Sequence, residues 1–262
     1  MGATQTVLVT GASRGIGREL TSAYLKRPST TVIAAVRDTA KESSKSLYSL
    51  PKGIGSHLIL IKIDAAIHSD AAEAVNKVQK EFSIDSLDII IANAGISHSG
   101  TSILDMSMVA ATEHFRINSL GPVILLQATA PLLRASKLEY PKFVAISSNA
   151  GTIGGADSLR GAPPVFSPYG ASKAALNWFV KRLHAEEEWL ISFVFHPGLV
   201  LTELAQQAFA SAGVSLKGME VISVEESVQG MIETLTLPLK TPVVHFATIL
   251  PRFYHGKAIK LH

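Results

Sequence analysis

No cysteine occurs among the 262 residues. That excludes disulfides, thiolate-held metals and a thiol nucleophile, and it fits a reducing compartment such as the cytoplasm. Blocks of one charge are missing too. The 24 basic and 21 acidic residues are dispersed and leave a formal net charge of +3. A nucleic-acid surface needs a concentrated basic face, so no nucleic-acid partner is expected. Long hydrophobic runs are also absent: the longest are broken by Lys, Asp, Pro or Gly well short of the roughly 18–20 residues that span a bilayer. The opening "TQTVLVTGAS" meets a glycine turn at Gly11, which reads as a strand start rather than a signal peptide. A soluble chain with no membrane partner is therefore expected. The histidines show no ligand spacing, so no metal is expected. His196, just before Pro197, reads as a loop or core residue.

What is present is an alternation. Aliphatic runs at 6–10, 31–36, 57–64, 87–95, 142–148, 190–198 and 243–249 are separated by amphipathic stretches. Near-continuous apolar strands divided by helices indicate a mostly parallel sheet, here of seven strands, covered on both faces. No Pro/Gly/Ser linker interrupts the series, so 1–262 reads as a single α/β domain. Two irregular segments, about 149–168 and 199–223, fall beyond strand C-terminal ends, where open α/β sheets bind ligands.

"LVTGASRGIGREL" places Gly11, Gly15 and Gly17 between the first strand and the first helix. Such a turn lets a pyrophosphate approach backbone closely and meet the N–H groups of a helix N-terminus. Ser13, Arg14 and Ile16 complete that loop. The second strand ends in "AAVRD". Arg37 there, with Arg14, suits the 2′-phosphate of NADPH, whereas Asp38 would suit a free ribose and NADH. Asp64 ends the third strand, positioned for an adenine amino group or for a plain loop anchor. Asn93, Ala94 and Gly95 close the fourth strand, Asn93 tying neighbouring loops and Gly95 admitting the cofactor. After the sixth, Pro197 and Gly198 would turn the backbone beside a nicotinamide, Val200 would join the cofactor wall, and Thr202 would hydrogen-bond the carboxamide or the pyrophosphate.

In "SPYGASKAALNWF", Tyr169 and Lys173 stand one helical turn apart on one face. A phenol of pKa ~10 is a weak acid near neutrality, and an adjacent ammonium favours its phenolate. Lys173 would supply that charge and hold ribose hydroxyls, while Tyr169 gives its proton to a carbonyl oxygen.

Thr10–Gly17, Asn93-Ala94-Gly95, Ser148, Tyr169-x3-Lys173 and Pro197-Gly198, in this order, resemble the short-chain dehydrogenase/reductase family over essentially the whole chain. "VIAAVRD", the helix "YGASKAALNWFVKRLHAEE" and the tail "RFYHGKAIKLH" narrow the likeness to fungal polyketide ketoreductases of the norsolorinic acid type, enzymes of secondary metabolism, and to sniffer-like carbonyl reductases. The resemblance implies a Rossmann-type three-layer sandwich, a homo-dimer or tetramer, and a catalytic group of Asn118, Ser148, Tyr169 and Lys173. Ser148 would orient the carbonyl, with Ser147 pointing to the other side of the strand. Asn118 would anchor a water behind Lys173 or serve as a buried structural amide. Twenty residues separate Ser148 from Tyr169, more than the family usually has. Ile96, Ile153, Pro163, Val165, Phe166, Leu204 and Phe209 are candidate walls for a bulky hydrophobic or aromatic carbonyl substrate. The expectation is an NADPH-dependent carbonyl reductase; the alternatives are an NAD-dependent alcohol dehydrogenase and a non-catalytic cofactor-binding regulator.

Overall fold

The computed structural model describes residues 4–160, 166–211, 213–215, 217–237, 246–249 and 259–261. Pro163 and Val165, two of the expected pocket walls, lie outside them. The sheet is built on β1 (Gln5–Thr10), β2 (Thr30–Val36), β3 (His57–Lys62), β4 (Ile89–Ala92), β5 (Lys142–Ile146) and β6 (Ile191–His196). These six are parallel and ordered β3-β2-β1-β4-β5-β6. Beyond β6 follow two short strands, β7 (Phe246–Ile249), parallel, and β8 (Ile259–Leu261), antiparallel. The expected count of seven strands is thus corrected, because the sheet continues past the seventh run. Three residues with a central lysine make no apolar run, so β8 left no periodic signal; a short, charged strand is a common way to close a sheet edge.

Helices cover both faces. They are α1 (Gly15–Leu25), the single turn α2 (Glu42–Lys45), α3 (Asp70–Phe82), α4 (Met108–His114), α5 (Gly121–Arg134), α6 (Tyr169–Glu186), α7 (Glu203–Ser211) and α8 (Val224–Thr236). Because strand side chains alternate, each strand feeds two cores. Val7, Val9, Ile89, Ile91, Phe193 and Phe195 pack with Leu20 and Tyr24 of α1 and Met231 of α8. Leu8, Ile90, Phe143 and Val194 pack the opposite way, against Val78 of α3, Leu133 of α5 and Leu176 of α6. All of these are buried, which is why the strands read as unbroken apolar runs.

Two local devices fix elements that matter for the site. Ser223 and Glu226 form a reciprocal capping box at the start of α8, each side chain 3.0 Å from the other's backbone N–H. Between α4 and α5 the helical path widens into a π turn over Phe115–Leu120, which contains Asn118; such turns interrupt the regular hydrogen-bond ladder. Among the described residues no helix is long and apolar enough to cross a membrane.

Candidate active site

Strand order reverses between β1 and β4, so the chain leaves their C-terminal ends in opposite directions and a crevice opens above them. A cavity of about 700 Å³ occupies it. Its walls include every residue expected to hold cofactor: Gly11, Ser13, Arg14, Gly15, Ile16, Gly17, Arg37, Asp64, Asn93, Ala94, Gly95, Pro197, Gly198, Val200 and Thr202, with Tyr169 and Lys173.

The glycine loop shows why it needs glycine. Gly11 has φ +64°, and a Cβ on Gly17 would lie 2.2 Å from the Gly11 carbonyl oxygen. Asn93 holds the loop from the neighbouring strand. Its side-chain amide donates to the carbonyls of Thr10 and Gly11 at 2.9 and 3.3 Å, and its backbone N–H donates to Thr10 Oγ1 at 3.0 Å. Arg14 stands extended at the start of α1, with no side chain capping the helix. The first-turn amides and the glycine-lined wall therefore fit an anionic dinucleotide.

At the end of β2 the two candidate specificity residues part. Arg37 lines the cavity; Asp38 does not. The Asp38 carboxylate instead accepts the Ala40 N–H at 2.8 Å in a local turn. Arg14 reaches across the cavity mouth to Glu203, with Nη1 2.5 Å from Oε2. Asp64 lines the cavity, and its Oδ1 accepts the Ala66 N–H at 2.9 Å as a loop anchor.

At the other end, Tyr169 is the first residue of α6 and Lys173 follows one turn later. Lys173 is 4% exposed, and its Nζ donates to the Ile146 carbonyl at 2.6 Å. That Nζ sits 5.6 Å from the centre of the Tyr169 ring. Burial dominates both groups: it pushes the phenol up to about 12 and the ammonium down to about 8. The expected lowering of the Tyr169 pKa by Lys173 is thus not the net effect in this arrangement; a hydrogen bond with Ser148 is the only counterweight. Both Ser147 and Ser148 line the cavity; the Ser147 hydroxyl is buried and donates to Asn177, whereas that of Ser148 accepts the Ala150 N–H at 3.1 Å and bonds with Tyr169.

Asn118 does not line the cavity. It is fully buried, its side chain exchanging hydrogen bonds with the backbone of Ile96 at 2.9 Å each way and donating to Ser172 at 3.0 Å. The amide is a structural clamp between the end of β4 and α6. A Cβ on Gly95 would press on the Asn118 Oδ1 at 3.1 Å, so the missing side chain in "NAG" leaves room for that clamp. Thr202 caps α7, its Oγ1 accepting the Ala205 N–H at 3.2 Å, and keeps its hydroxyl proton for donation.

Ile96, Phe166, Leu204 and Phe209 line the substrate side, and Phe166 meets Phe209 edge-on at 6.4 Å. The two irregular segments therefore touch each other and form wall together. Ile153 is corrected: it is 85% exposed and off the wall, because the single turn of helix before it directs it to solvent. His98 was not foreseen. It lines the cavity three residues after Gly95, its ring tilted against the buried His114 at 4.6 Å and its Nε2 3.2 Å from Glu113. Only its nearness to "NAG" could have pointed to it.

Comparison with known proteins agrees with this geometry. A family model described as short chain dehydrogenase matches residues 5–213. A norsolorinic acid ketoreductase of Dothistroma septosporum is 39% identical over 86% of this chain and 82% of its own length. A short-chain dehydrogenase of Pyricularia oryzae is 36% identical over 90% of this chain and 91% of its own. Among solved structures, an NADPH-bound carbonyl reductase from chicken fatty liver superposes with a TM-score of 0.78 at 25% identity, covering 94% of this chain and 97% of its own.

The buried lysine has a measurable signature. Its folded pKa of about 8 lies below the ordinary 10.5, so between these values the unfolded chain binds more protons and stability rises with pH. The stability is present above 10.5 and lost as pH falls through 8. Urea unfolding of the cofactor-free protein from pH 8 to 10 should show a rise of at most about 1.4 kcal/mol per pH unit, the limit for one proton. Lys173→Met should flatten it. Equal slopes in both proteins would mean that Lys173 is not desolvated.

Proposed function

We propose the following chemistry for this chain, which belongs to the short-chain dehydrogenase family. It is an NADPH-dependent oxidoreductase acting on a carbonyl compound. The reaction is reduction of a ketone or aldehyde to an alcohol, and the substrate is bulky and hydrophobic or aromatic. One observation carries this reading: a single cavity joins the glycine-lined anion cradle to Tyr169, Lys173 and Ser148.

NADPH, when bound, supplies the hydride that reaches the carbonyl carbon. Tyr169 gives its phenolic proton to the carbonyl oxygen as negative charge develops there. Burial makes the phenol a weaker acid in the cofactor-free protein, so the transfer relies on positive charge beside the phenolate it leaves. Ser148, within hydrogen-bonding reach of Tyr169, orients that oxygen. Lys173 holds the ribose hydroxyls and places positive charge near the phenolate left behind, while Asn118 fixes the β4–α6 junction and with it the proton path behind the lysine. Arg37 and Arg14 take the 2′-phosphate, and Thr202 the carboxamide or pyrophosphate. The segments 149–168 and 199–223 form the substrate side. The name of the Dothistroma relative, a ketoreductase of norsolorinic acid, and the Phe166–Phe209 wall both support an aromatic, polyketide-like ketone. Exposed Met108, Val109, Phe115, Leu120 and Trp178 support a homo-dimer through the α4–α5 stretch and α6, and the lack of cysteine suits a cytoplasmic location.

Tyr169→Phe tests the chemistry: NADPH affinity should hold while ketone turnover falls roughly 10²–10⁴-fold. Wild-type kcat with bound cofactor would remove Tyr169 as the acid. Arg37→Glu should weaken NADPH use selectively, by about tenfold or more in kcat/KM, through loss of a charge-assisted contact. A parallel loss with NADH would mark the arginine as structural. For the wall, Phe166→Ala should lower kcat/KM more for large aromatic ketones than for small ones, by roughly 10-fold or more. Equal losses for both would assign Phe166 to packing alone.

A further inference from the structure

The ion pair between Arg14 and Glu203 links residues at the N-termini of two helices. Arg14 precedes α1 and Glu203 begins α7. The two ends are close, since a Cβ on Gly15 would stand 3.4 Å from Thr202 Cγ2. Two positive helix ends and an arginine thus converge on one spot of the cavity wall, and the carboxylate of Glu203 is the negative charge that meets them. Arg37, on the wall of the same cavity at the end of β2, makes no ion pair among the described residues. One arginine of the expected phosphate clamp is unpaired and the other is held.

We propose that Glu203 is a specificity-determining residue which competes with the cofactor's 2′-phosphate for Arg14. The inference rests on the reading of Arg14 and Arg37 as the 2′-phosphate clamp. A guanidinium binds either a carboxylate or a phosphate by the same fork of N–H donors, and a dianionic phosphate is the stronger acceptor. The long arginine side chain lets Arg14 turn from the mouth of the cavity toward Arg37 when that phosphate arrives. Both partners are well exposed, 44% for Arg14 and 63% for Glu203, so water and salt screen the pair and it yields at modest cost. Glu203 therefore tempers NADPH affinity without abolishing it, and leaves NADH affinity untouched because NADH makes no claim on Arg14. The competing account is that Glu203 merely complements the dipole of its own helix. That role would not single out one phosphate of a nucleotide.

Two fragments that carry no nicotinamide separate these accounts: 2′,5′-ADP, which has the 2′-phosphate, and 5′-AMP, which lacks it. By titration calorimetry, Glu203→Gln should bind 2′,5′-ADP about two- to fivefold more tightly than the parent, the range expected for releasing an exposed pair. Its affinity for 5′-AMP should not change. In an Arg14→Gln background the further change Glu203→Gln should have no effect on either fragment, because the competition is gone. Three results would overturn the proposal: unchanged or weaker 2′,5′-ADP binding in Glu203→Gln, an equal gain for both fragments, or a gain that survives in the Arg14→Gln background. If Arg14→Gln and Arg37→Gln each leave the preference for 2′,5′-ADP over 5′-AMP intact, the clamp reading itself fails. That outcome is distinct from a failure of Glu203 alone.

Discussion

The Asn93 amide, donating to the carbonyls of Thr10 and Gly11, holds the ligand site open and in shape. β1 and β4 are neighbours whose following segments leave in opposite directions. Without a tie, the glycine turn above β1 would have no partner on the β4 side and its buried carbonyls would be unpaired. Thr10 closes the arrangement from the other strand, its hydroxyl accepting from the backbone of Asn93 and Ala94 at 3.0 Å each. Gly17 can then pack directly on the Gly11 carbonyl, which aims the start of α1 into the crevice. Packing in the two cores places the strands; this small polar knot makes their ends a site.

The reacting end is governed by desolvation. Lys173 is buried beside a backbone carbonyl, and Tyr169 is half-buried at the mouth of the same helix. Low polarity keeps the phenol protonated and brings the ammonium near neutrality. Such a pair is poor at holding charge on its own and responsive to charge supplied beside it. The same burial costs folding stability as pH falls toward 8 and Lys173 takes up its proton.

Much of this was legible in the chain. Gly11, Gly15, Gly17, Asn93, Tyr169 and Lys173 act through backbone spacing within single elements, and spacing is what a sequence displays. Arg37 and Asp38 are adjacent, so which of them meets the cavity depended on one residue of strand boundary; Arg37 lines it, while the Asp38 carboxylate accepts the Ala40 N–H in a turn. Other features rest on contacts between distant segments. Arg14 and Glu203 lie 189 residues apart, and no local pattern links them. The pairing of β8 with β7 involves three residues, too few for a periodicity. His98 reads as one more polar loop residue until the fold sets its ring against that of His114.

The catalytic group owes its geometry less to the residues that carry the chemistry than to the segment beneath them. Asn118 never meets the cavity, yet it clamps Ile96 to Ser172, and Ser119 adds a bond from its hydroxyl to the Ser172 carbonyl at 2.7 Å. These contacts come from a π turn, where an irregular stretch of helix presents side chains that a regular one would turn elsewhere. On the other side of α6, Gly151 packs so tightly that a Cβ there would stand 2.6 Å from the Lys173 carbonyl carbon. The first two turns of α6 are therefore gripped from both sides, by polar bonds on one and by bare backbone on the other. Tyr169 and Lys173 inherit their positions from that grip. The Phe166 side of the cavity is tied differently: its ring meets Phe209 edge to face, the Gly170 N–H donates to its carbonyl, and the neighbouring Ser167 pairs with Thr101. Backbone bonds thus anchor that stretch to the start of α6, while its contact with α7 runs through the two aromatic rings.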